Sequence, residues 1–297
     1  MQIDIAIIGG SYAGLSAALQ LARARRQVLV VDAGQRRNRF VDAAGGSAHG
    51  FLTRDGSTPA SIAAEAKRQL MLYPTVRWLD GLADEARVEA DGRFSFDVAG
   101  HRVGAAHLIL ATGVRDELPP VPGLAERWGQ SVFHCPYCHG YELGGGPIGI
   151  VAASPLAQHH GLMLPDWGPT TLFLNDAYVP TDEERAALAR RGTQIEPTPI
   201  ARIEGSADVV LQDGRTLSMN GLFTQSRTHV SSPVARQLGC AFEEGPMGLF
   251  VKVDAMQQTS VTNVFACGDA ARMAGNVALA VADGALAGVA AHRATMG

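Results

Sequence analysis

Short apolar runs broken by glycine turns set the rhythm of this chain. Ile3 to Ile8 is an apolar run that stops at Gly9-Gly10-Ser11-Tyr12-Ala13-Gly14, and from Leu15 to Ala24 the apolar positions recur at helical spacing. A strand, a glycine turn and a helix are predicted. The next apolar strand, Gln27 to Val31, ends in Asp32. Residues 57–72 read as an amphipathic helix, and 76–110 as alternating short strands: Val76 to Leu79, Arg87 to Ala90, Phe94 to Val98 and His107 to Leu110, with turn signals at Asp91-Gly92 and Gly100-His101. Further buried strands are expected at Leu108 to Ala111, Ile148 to Ala152, Thr170 to Leu174 and Thr262 to Ala266, and a small-residue helix at Val277 to Ala291. A helix over 181–191 carries carboxylates in its first turn and Arg190-Arg191 in its last, which complements the helix dipole. Glu117-Leu118-Pro119-Pro120-Val121-Pro122-Gly123 reads as a crossover into a second domain, Gly144-Gly145-Gly146 as a joint and Glu243-Glu244-Gly245-Pro246 as the return hinge.

Composition narrows the class. Of 297 residues 46% are hydrophobic and 18% charged, enough apolar material for a sizeable core, and the length suggests two domains. Net charge is −4, from 25 basic and 29 acidic residues without long blocks, so nucleic acid is not an expected partner. The N-terminus lacks a basic region and no 18-residue apolar stretch follows it; the expectation is a cytoplasmic protein that keeps its first residues and does not engage a membrane. Four cysteines are too few for a disulfide scaffold, and two of them form Cys135-Pro136-Tyr137-Cys138.

The N-terminal turn reads G-x-S-x-x-G. Gly9 makes the tight turn and Gly14 lets helix pack on strand, while Ser11 replaces the glycine of closest approach to a pyrophosphate and adds a hydroxyl. Asp32 falls where an acid accepts ribose hydroxyls. Arg36, Arg37 and Arg39 follow, so this segment alone leaves a 2′-phosphate open.

Three spaced motifs add specificity: Leu108-Ile109-Leu110-Ala111-Thr112-Gly113, the Cys-x-x-Cys after it, and Thr259-Ser260-Val261 through Val264-Phe265-Ala266-Cys267-Gly268-Asp269. In sequence and order they resemble the low-molecular-weight thioredoxin reductase-like, FAD-dependent disulfide oxidoreductases. The resemblance implies an α/β fold of two Rossmann-like (three-layer ββα/βαβ) dinucleotide-binding domains: a discontinuous FAD domain, residues 1–116 and 245–297 with a β-meander insert, and a pyridine-nucleotide-like domain, 117–244, carrying the Cys-x-x-Cys. It assigns the flavin site to Gly9, Ser11, Tyr12, Ala13, Gly14, Asp32, Ala33, Arg39, His49, Ala111, Thr112, Gly113, Gly268 and Asp269, with Asp269 on the ribityl chain. It also implies a homodimer.

Three readings of the cysteine pair stand. Zinc needs four ligands, no second Cys-x-x-Cys exists, and His134 and His139 flank the pair closely; no metal is expected. Inert core cysteines are the second reading, and Cys240 and Cys267 read that way. The third, carried by the resemblance, is a redox-active pair in which Cys138 faces the flavin and Cys135 attacks outward, its thiolate favoured by a helix N-terminus. The family's acid after the second cysteine is replaced here by Cys138-His139-Gly140-Tyr141-Glu142. His139, with an ordinary basicity, and Glu142, on the same face, are candidate proton donors; the alternative is a histidine in solvent beside the disulfide. His49, in Gly46-Ser47-Ala48-His49-Gly50-Phe51-Leu52, is a candidate base for an incoming thiol or else a packed histidine.

The second glycine loop is degenerate: Ala152, Ser154 and Ala157 occupy its glycine positions, and Asn175-Asp176 stands where NADPH-binding relatives carry basic residues. NADP(H) is disfavoured more than NAD(H), and both are disfavoured. With Cys-Pro-Tyr-Cys-His-Gly-Tyr-Glu, this resembles the gliotoxin, holomycin and romidepsin-type dithiol oxidases, implying a small-molecule dithiol substrate and oxygen as acceptor. The alternatives are an NAD(P)H-dependent reductase of thioredoxin or a small disulfide, and a flavin-binding redox sensor without turnover.

Overall fold

The computed structural model describes residues 3–296; the outermost limits of the expected flavin-domain segments, 1 and 297, lie outside the described residues. The fold is a mixed α/β arrangement with two separate parallel sheets. In the first sheet, β1 (Ile3–Ile8) lies between β2 (Val28–Asp32) and β6 (His101–Leu110), with β3 (Val76–Asp80) beyond β2. All of these pair in parallel. Both faces of β1 are covered, which is why its sequence reads as a continuous apolar run rather than an alternation. β5 (Phe94–Val98) and β4 (Ala83–Val88) extend the sheet antiparallel from β6, and β19 (Val264–Ala266) runs parallel to its last residues.

Two details differ from the sequence expectation. The strand at 76–80 is no part of the meander: its apolar Val76 and Trp78 join the edge of β2. β4 ends at Val88 rather than Ala90, because a register shift between Asp84 and Arg87 turns Ala83 and Ala86 to the core.

One face of this sheet is covered by α1 (Tyr12–Arg23), α3 (Pro59–Leu70) and α8 (Val277–Ala294). α8 corrects the expectation of no long apolar stretch after the N-terminus, since by length and composition alone it is apolar enough to cross a bilayer. Its glycines instead let it lie on α1: a Cβ on Gly284 would sit 2.1 Å from Ala13 O, and one on Gly288 2.6 Å from Ala17 O. The opposite face buries Val234, Ala235 and Leu238 of α7 (Val234–Gln237) and its C-cap. The segment read as a return hinge is the turn between the paired strands β17 (Phe242–Gly245) and β18 (Gly248–Val251).

The second sheet is parallel throughout, β11 (Gln194–Glu196), β10 (Thr170–Phe173), β9 (Ile148–Val151), β15 (Gly221–Thr224), β8 (Val132–Phe133) in that order. α5 (Ala157–Met163) and α6 (Asp182–Arg191) cover it, the latter begun by a Thr181–Glu184 capping box. A three-stranded antiparallel sheet of β12 (Ile200–Glu204), β13 (Asp208–Leu211) and β14 (Thr216–Ser218) adjoins it. An antiparallel ribbon, β7 (Val114–Glu117) with β16 (Arg227–Val230), carries the chain between the two sheets in both directions. Two short helices complete the site's surroundings, α2 (Arg39–Ala43) and α4 (Pro136–His139).

Candidate functional site

The glycine turn between β1 and α1 is pressed against the end of β6. Gly9 has φ +107° and a Cβ there would fall 2.2 Å from Ala111 O; a Cβ on Gly14 would fall 1.8 Å from Gly9 O. No other residue type satisfies both positions. Ser11 is the extended N-cap of α1 but makes no side-chain cap bond. The N–H groups of Ser11, Tyr12, Ala13 and Gly14 therefore have no acceptor among the described residues, so the positive end of a twelve-residue helix is left free for an anion.

Those donors open on a cleft. Of the residues expected from sequence, Ser11, Tyr12, Ala13, His49, Ala111 and Gly113 line it, as do Cys138, His139, Gly268 and Asp269. Others stand outside it. Asp32 accepts the Gly10 N–H at 3.1 Å, Ala33 is exposed, and neither Thr112 nor Glu142 reaches the cleft wall. The arginines divide: Arg36 pairs with Asp42 at 2.9 Å, and Arg39 donates to Arg36 O and lies over the Phe40 ring at 4.2 Å.

Arg37 turns inward, and sequence reasoning missed this role. It donates to both oxygens of Asp116, at 2.7 and 2.9 Å, and to Asp269 Oδ2 at 3.0 Å. Burial opposes its charge, but the bonds to Asp116 and Asp269 outweigh that and hold the guanidinium above its usual basicity. Asp116 is held below the usual carboxylate range despite burial, by Arg37 first and then by Ser226, whose hydroxyl donates to it at 2.5 Å. Asn38, Trp128, His134 and Asn276 also line the cleft unanticipated; Asn38 gives its amide to Tyr12 Oη at 3.0 Å, and its buried Oδ1 has no partner. An unpaired buried acceptor beside unpaired helix donors suits a ligand rich in both phosphate and hydroxyl groups, as FAD is.

Cys135 and Cys138 form a disulfide with Cα atoms 5.4 Å apart, within the ordinary range. Cys138 lines the cleft and Cys135 does not. The helix after Cys135 is a single turn, so its dipole is much smaller than the sequence suggested. Among the described residues no group of three or more His, Cys, Asp or Glu side chains converges as a metal site.

His139 departs from expectation in two ways. It is half-buried, stacked on Phe133 with ring centroids 4.3 Å apart, rather than free in solvent. Burial, aided by the charge of His49, pushes its pKa down to about 4, so it is neutral at pH 7. His134 is driven in the same direction by burial and by Arg37, against the pull of Asp116. Glu142 lies beyond the end of α4. It sits in a turn at Tyr141–Leu143 with its carboxylate 3.4 Å from His49 Nε2, while Asp55 lies 3.6 Å from His49 Nδ1.

The loop between β9 and α5 presents the opposite picture to the first glycine turn. The N–H groups of Ala157, Gln158 and His159 already donate to the carbonyls of Ser154, Pro155 and Leu156 at 3.0 to 3.1 Å, and the Leu156 N–H reaches Ser154 Oγ at 3.3 Å. Gln225 then covers the Leu156 carbonyl at 2.7 Å. From Leu156 onward the donors are spent within the loop, and only the Ala153 and Ser154 N–H groups lack an acceptor among the described residues.

A family model described as pyridine nucleotide-disulphide oxidoreductase matches residues 3–284. The chain is 34% identical to thioredoxin reductase tcpT of Claviceps purpurea (strain 20.1), covering 96% of this chain and 92% of that one. It is 32% identical to thioredoxin reductase sirT of Leptosphaeria maculans, with the same coverage. Among solved structures, an oxidoreductase from Agrobacterium tumefaciens superposes with a TM-score of 0.96 at 55% identity over 100% of this chain and 99% of that one. HlmI superposes with a TM-score of 0.90 at 32% identity, covering 99% and 93%.

Proposed function

This chain belongs to the pyridine nucleotide-disulphide oxidoreductase family, as a thioredoxin reductase-like enzyme acting on sulfur groups, and from that premise we propose that it oxidises a small-molecule dithiol to a disulfide through Cys135 and Cys138, with oxygen as final acceptor. The observation that carries the reading is the contrast between the two nucleotide loops: free N–H donors at Ser11 to Gly14, self-satisfied donors at Leu156 to His159. The first loop offers four donors to a flavin dinucleotide and the second far fewer to a pyridine nucleotide, which supports thiols as the source of electrons. The resemblance of Cys135 through Glu142 to the dithiol oxidases supports the same direction.

The exchange balances on this chain's own residues. A substrate thiolate attacks Cys135 Sγ, the substrate–Cys135 bond forms, the Cys135–Cys138 bond breaks, and Cys138 departs as thiolate. The second substrate thiolate attacks the substrate sulfur of that mixed disulfide, closing the product and releasing Cys135. FAD, when bound, would supply a two-electron acceptor for the cysteine pair and a route from it to oxygen as peroxide. The Ser11 to Gly14 N–H groups, Asn38 and Asp269 would hold it, and Cys138 is the cysteine that lines the same cleft. His49 receives the incoming thiol's proton, which then lies between the Asp55 and Glu142 carboxylates. His139, neutral and stacked, fixes the wall behind Cys138. The domain division of the proposal is 1–116 with 245–297 and 117–244, refined by the packing of residues 234–238 on the flavin-side sheet.

A second reading, an NAD(P)H-dependent reductase of thioredoxin or a small disulfide, is favoured by the names its relatives carry. Oxygen uptake driven by dithiothreitol tests the proposal. Wild-type protein is expected to consume oxygen and form peroxide, and the Cys135→Ser variant to do neither. Uptake unchanged by that substitution would falsify the disulfide route.

A further inference from the structure

The cleft is short of positive charge. Asp116 and Asp269 both line it, and Arg37 is the sole lysine or arginine to do so among the described residues. Of its three histidines, His134 and His139 are held neutral by burial, and His49 stands between the Asp55 and Glu142 carboxylates. An FAD pyrophosphate entering this space meets two carboxylates and one guanidinium.

Arg37 is built into three parts of the chain at once. Its side chain is 16% exposed. Asp116, its bidentate partner, lies on β7 of the ribbon between the two sheets, and Ser226, just before β16, donates to the same carboxylate. The third bond reaches Asp269, in the turn after β19. That carboxylate is also fenced from the other side: Asp269 Oδ1 stands 2.1 Å from where a Cβ on Gly275 would be. A guanidinium has five N–H donors and three are engaged, which leaves two on a group facing the cleft.

We propose that Arg37 is the positioning and charge-balancing residue of the flavin cleft: it fixes the Asp269 carboxylate for the flavin polyol, supplies the one permanent positive charge that lets an anionic dinucleotide bind beside Asp116 and Asp269, and ties both to the β7–β16 ribbon. The inference rests on the FAD-dependent reading of this chain. Nothing in the local sequence announces the role, because Arg37 stands between two other arginines that serve the surface. Removing the guanidinium leaves two half-buried carboxylates unbalanced against an anion, a heavier loss than one hydrogen bond. Lysine restores the charge but not the fork that holds two carboxylates at once.

The experiment is titration of apoprotein with FAD, followed by quenching of flavin fluorescence, for wild type, Arg37→Gln, Arg37→Lys, Asp269→Asn and the Arg37→Gln/Asp269→Asn double variant, with the melting temperature of each apoprotein alongside. FAD binding by Arg37→Gln is expected to weaken at least about tenfold, Arg37→Lys to fall between it and wild type, and the double variant to lose less than the sum of the singles. Affinity within about twofold of wild type in Arg37→Gln, or strictly additive losses, overturns the proposal. A residue that merely stabilises the fold would lower the melting temperature and leave the FAD constants uncoupled. Should Arg37→Gln not fold, Arg37→Lys is read alone: FAD binding weakened relative to wild type supports the proposal, and affinity equal to wild type overturns it. Wild-type apoprotein that binds no FAD overturns the flavin reading itself, a result distinguishable from either outcome for Arg37.

Discussion

Replacing Gly275 by alanine separates the cofactor site from the fold. The added Cβ would meet Asp269 Oδ1 at 2.1 Å, and ordinary contact begins at 3.4 Å, so the carboxylate must move by about 1.3 Å. The Gly275 backbone is not in the left-handed region, so alanine is tolerated there without strain. A shift of that size takes Oδ2 out of reach of Arg37, now 3.0 Å away, and out of line for the flavin polyol. A hydrogen bond to a charged group contributes about 1.5–3 kcal/mol, which converts to a loss of FAD affinity of roughly 10- to 150-fold. The apoprotein is expected to stay folded, its melting temperature lowered only by the loss of the single Arg37–Asp269 bond. Fluorescence titration of the apoprotein with FAD measures the first quantity and differential scanning calorimetry the second. FAD affinity equal to wild type, in a folded Gly275→Ala variant, refutes the reasoning.

Further outcomes follow from the same site. His49→Gln is expected to lower kcat for dithiothreitol oxidation by roughly a hundredfold while FAD content is unchanged, and a kcat near wild type would remove His49 from proton transfer. His160, 5% exposed and with Nδ1 unpartnered, is pushed by burial to a pKa of about 4. An unfolded histidine takes up its proton near pH 6.5, so between about pH 6.5 and 4 the unfolded chain binds more protons than the folded one. Stability is then full above pH 6.5 and falls as the pH drops, by up to about 1.4 kcal/mol per pH unit for this residue. Urea unfolding at several pH values should show a shallower acid limb in His160→Gln; an identical limb would contradict the assignment. Glu196, held down to about 2 first by its hydrogen bonds from Arg215, adds stability above its unfolded pKa that is lost as the pH falls toward 2, and Arg215→Gln is expected to flatten that lower window in the same titration.

What could be read in the sequence was what lies close together in it. Gly9, Gly14 and Asp32 fall within a single strand–helix–strand unit, where spacing alone constrains geometry. Thr181 and Glu184 are three residues apart, and their capping box was foreseeable for the same reason. Arg37 was hidden because its partners lie 79 and 232 residues away, and only the ribbon and the turn after β19 bring them together. The depressed basicity of His139 depends on burial and then on the charge of His49, which no residue-by-residue reading supplies. Glu142 was expected on the face of His139 on the condition that the stretch be helical; α4 ends at His139, and the 3₁₀ turn that follows carries the carboxylate to His49. The meander was mis-bounded at its first strand, since Val76 to Asp80 alternates like a hairpin strand but completes a parallel edge.

The central claim is that electrons reach the flavin from thiols and not from a pyridine nucleotide. It is tested most directly by recording the flavin spectrum anaerobically after mixing the holoprotein separately with NADPH, NADH and dithiothreitol, and then admitting air. Bleaching by dithiothreitol alone, reversed by air with formation of peroxide, is the expected result. Rapid bleaching by NADPH or NADH would contradict the account, because it would require a nucleotide cradle in a loop whose N–H donors from Leu156 to His159 are already engaged.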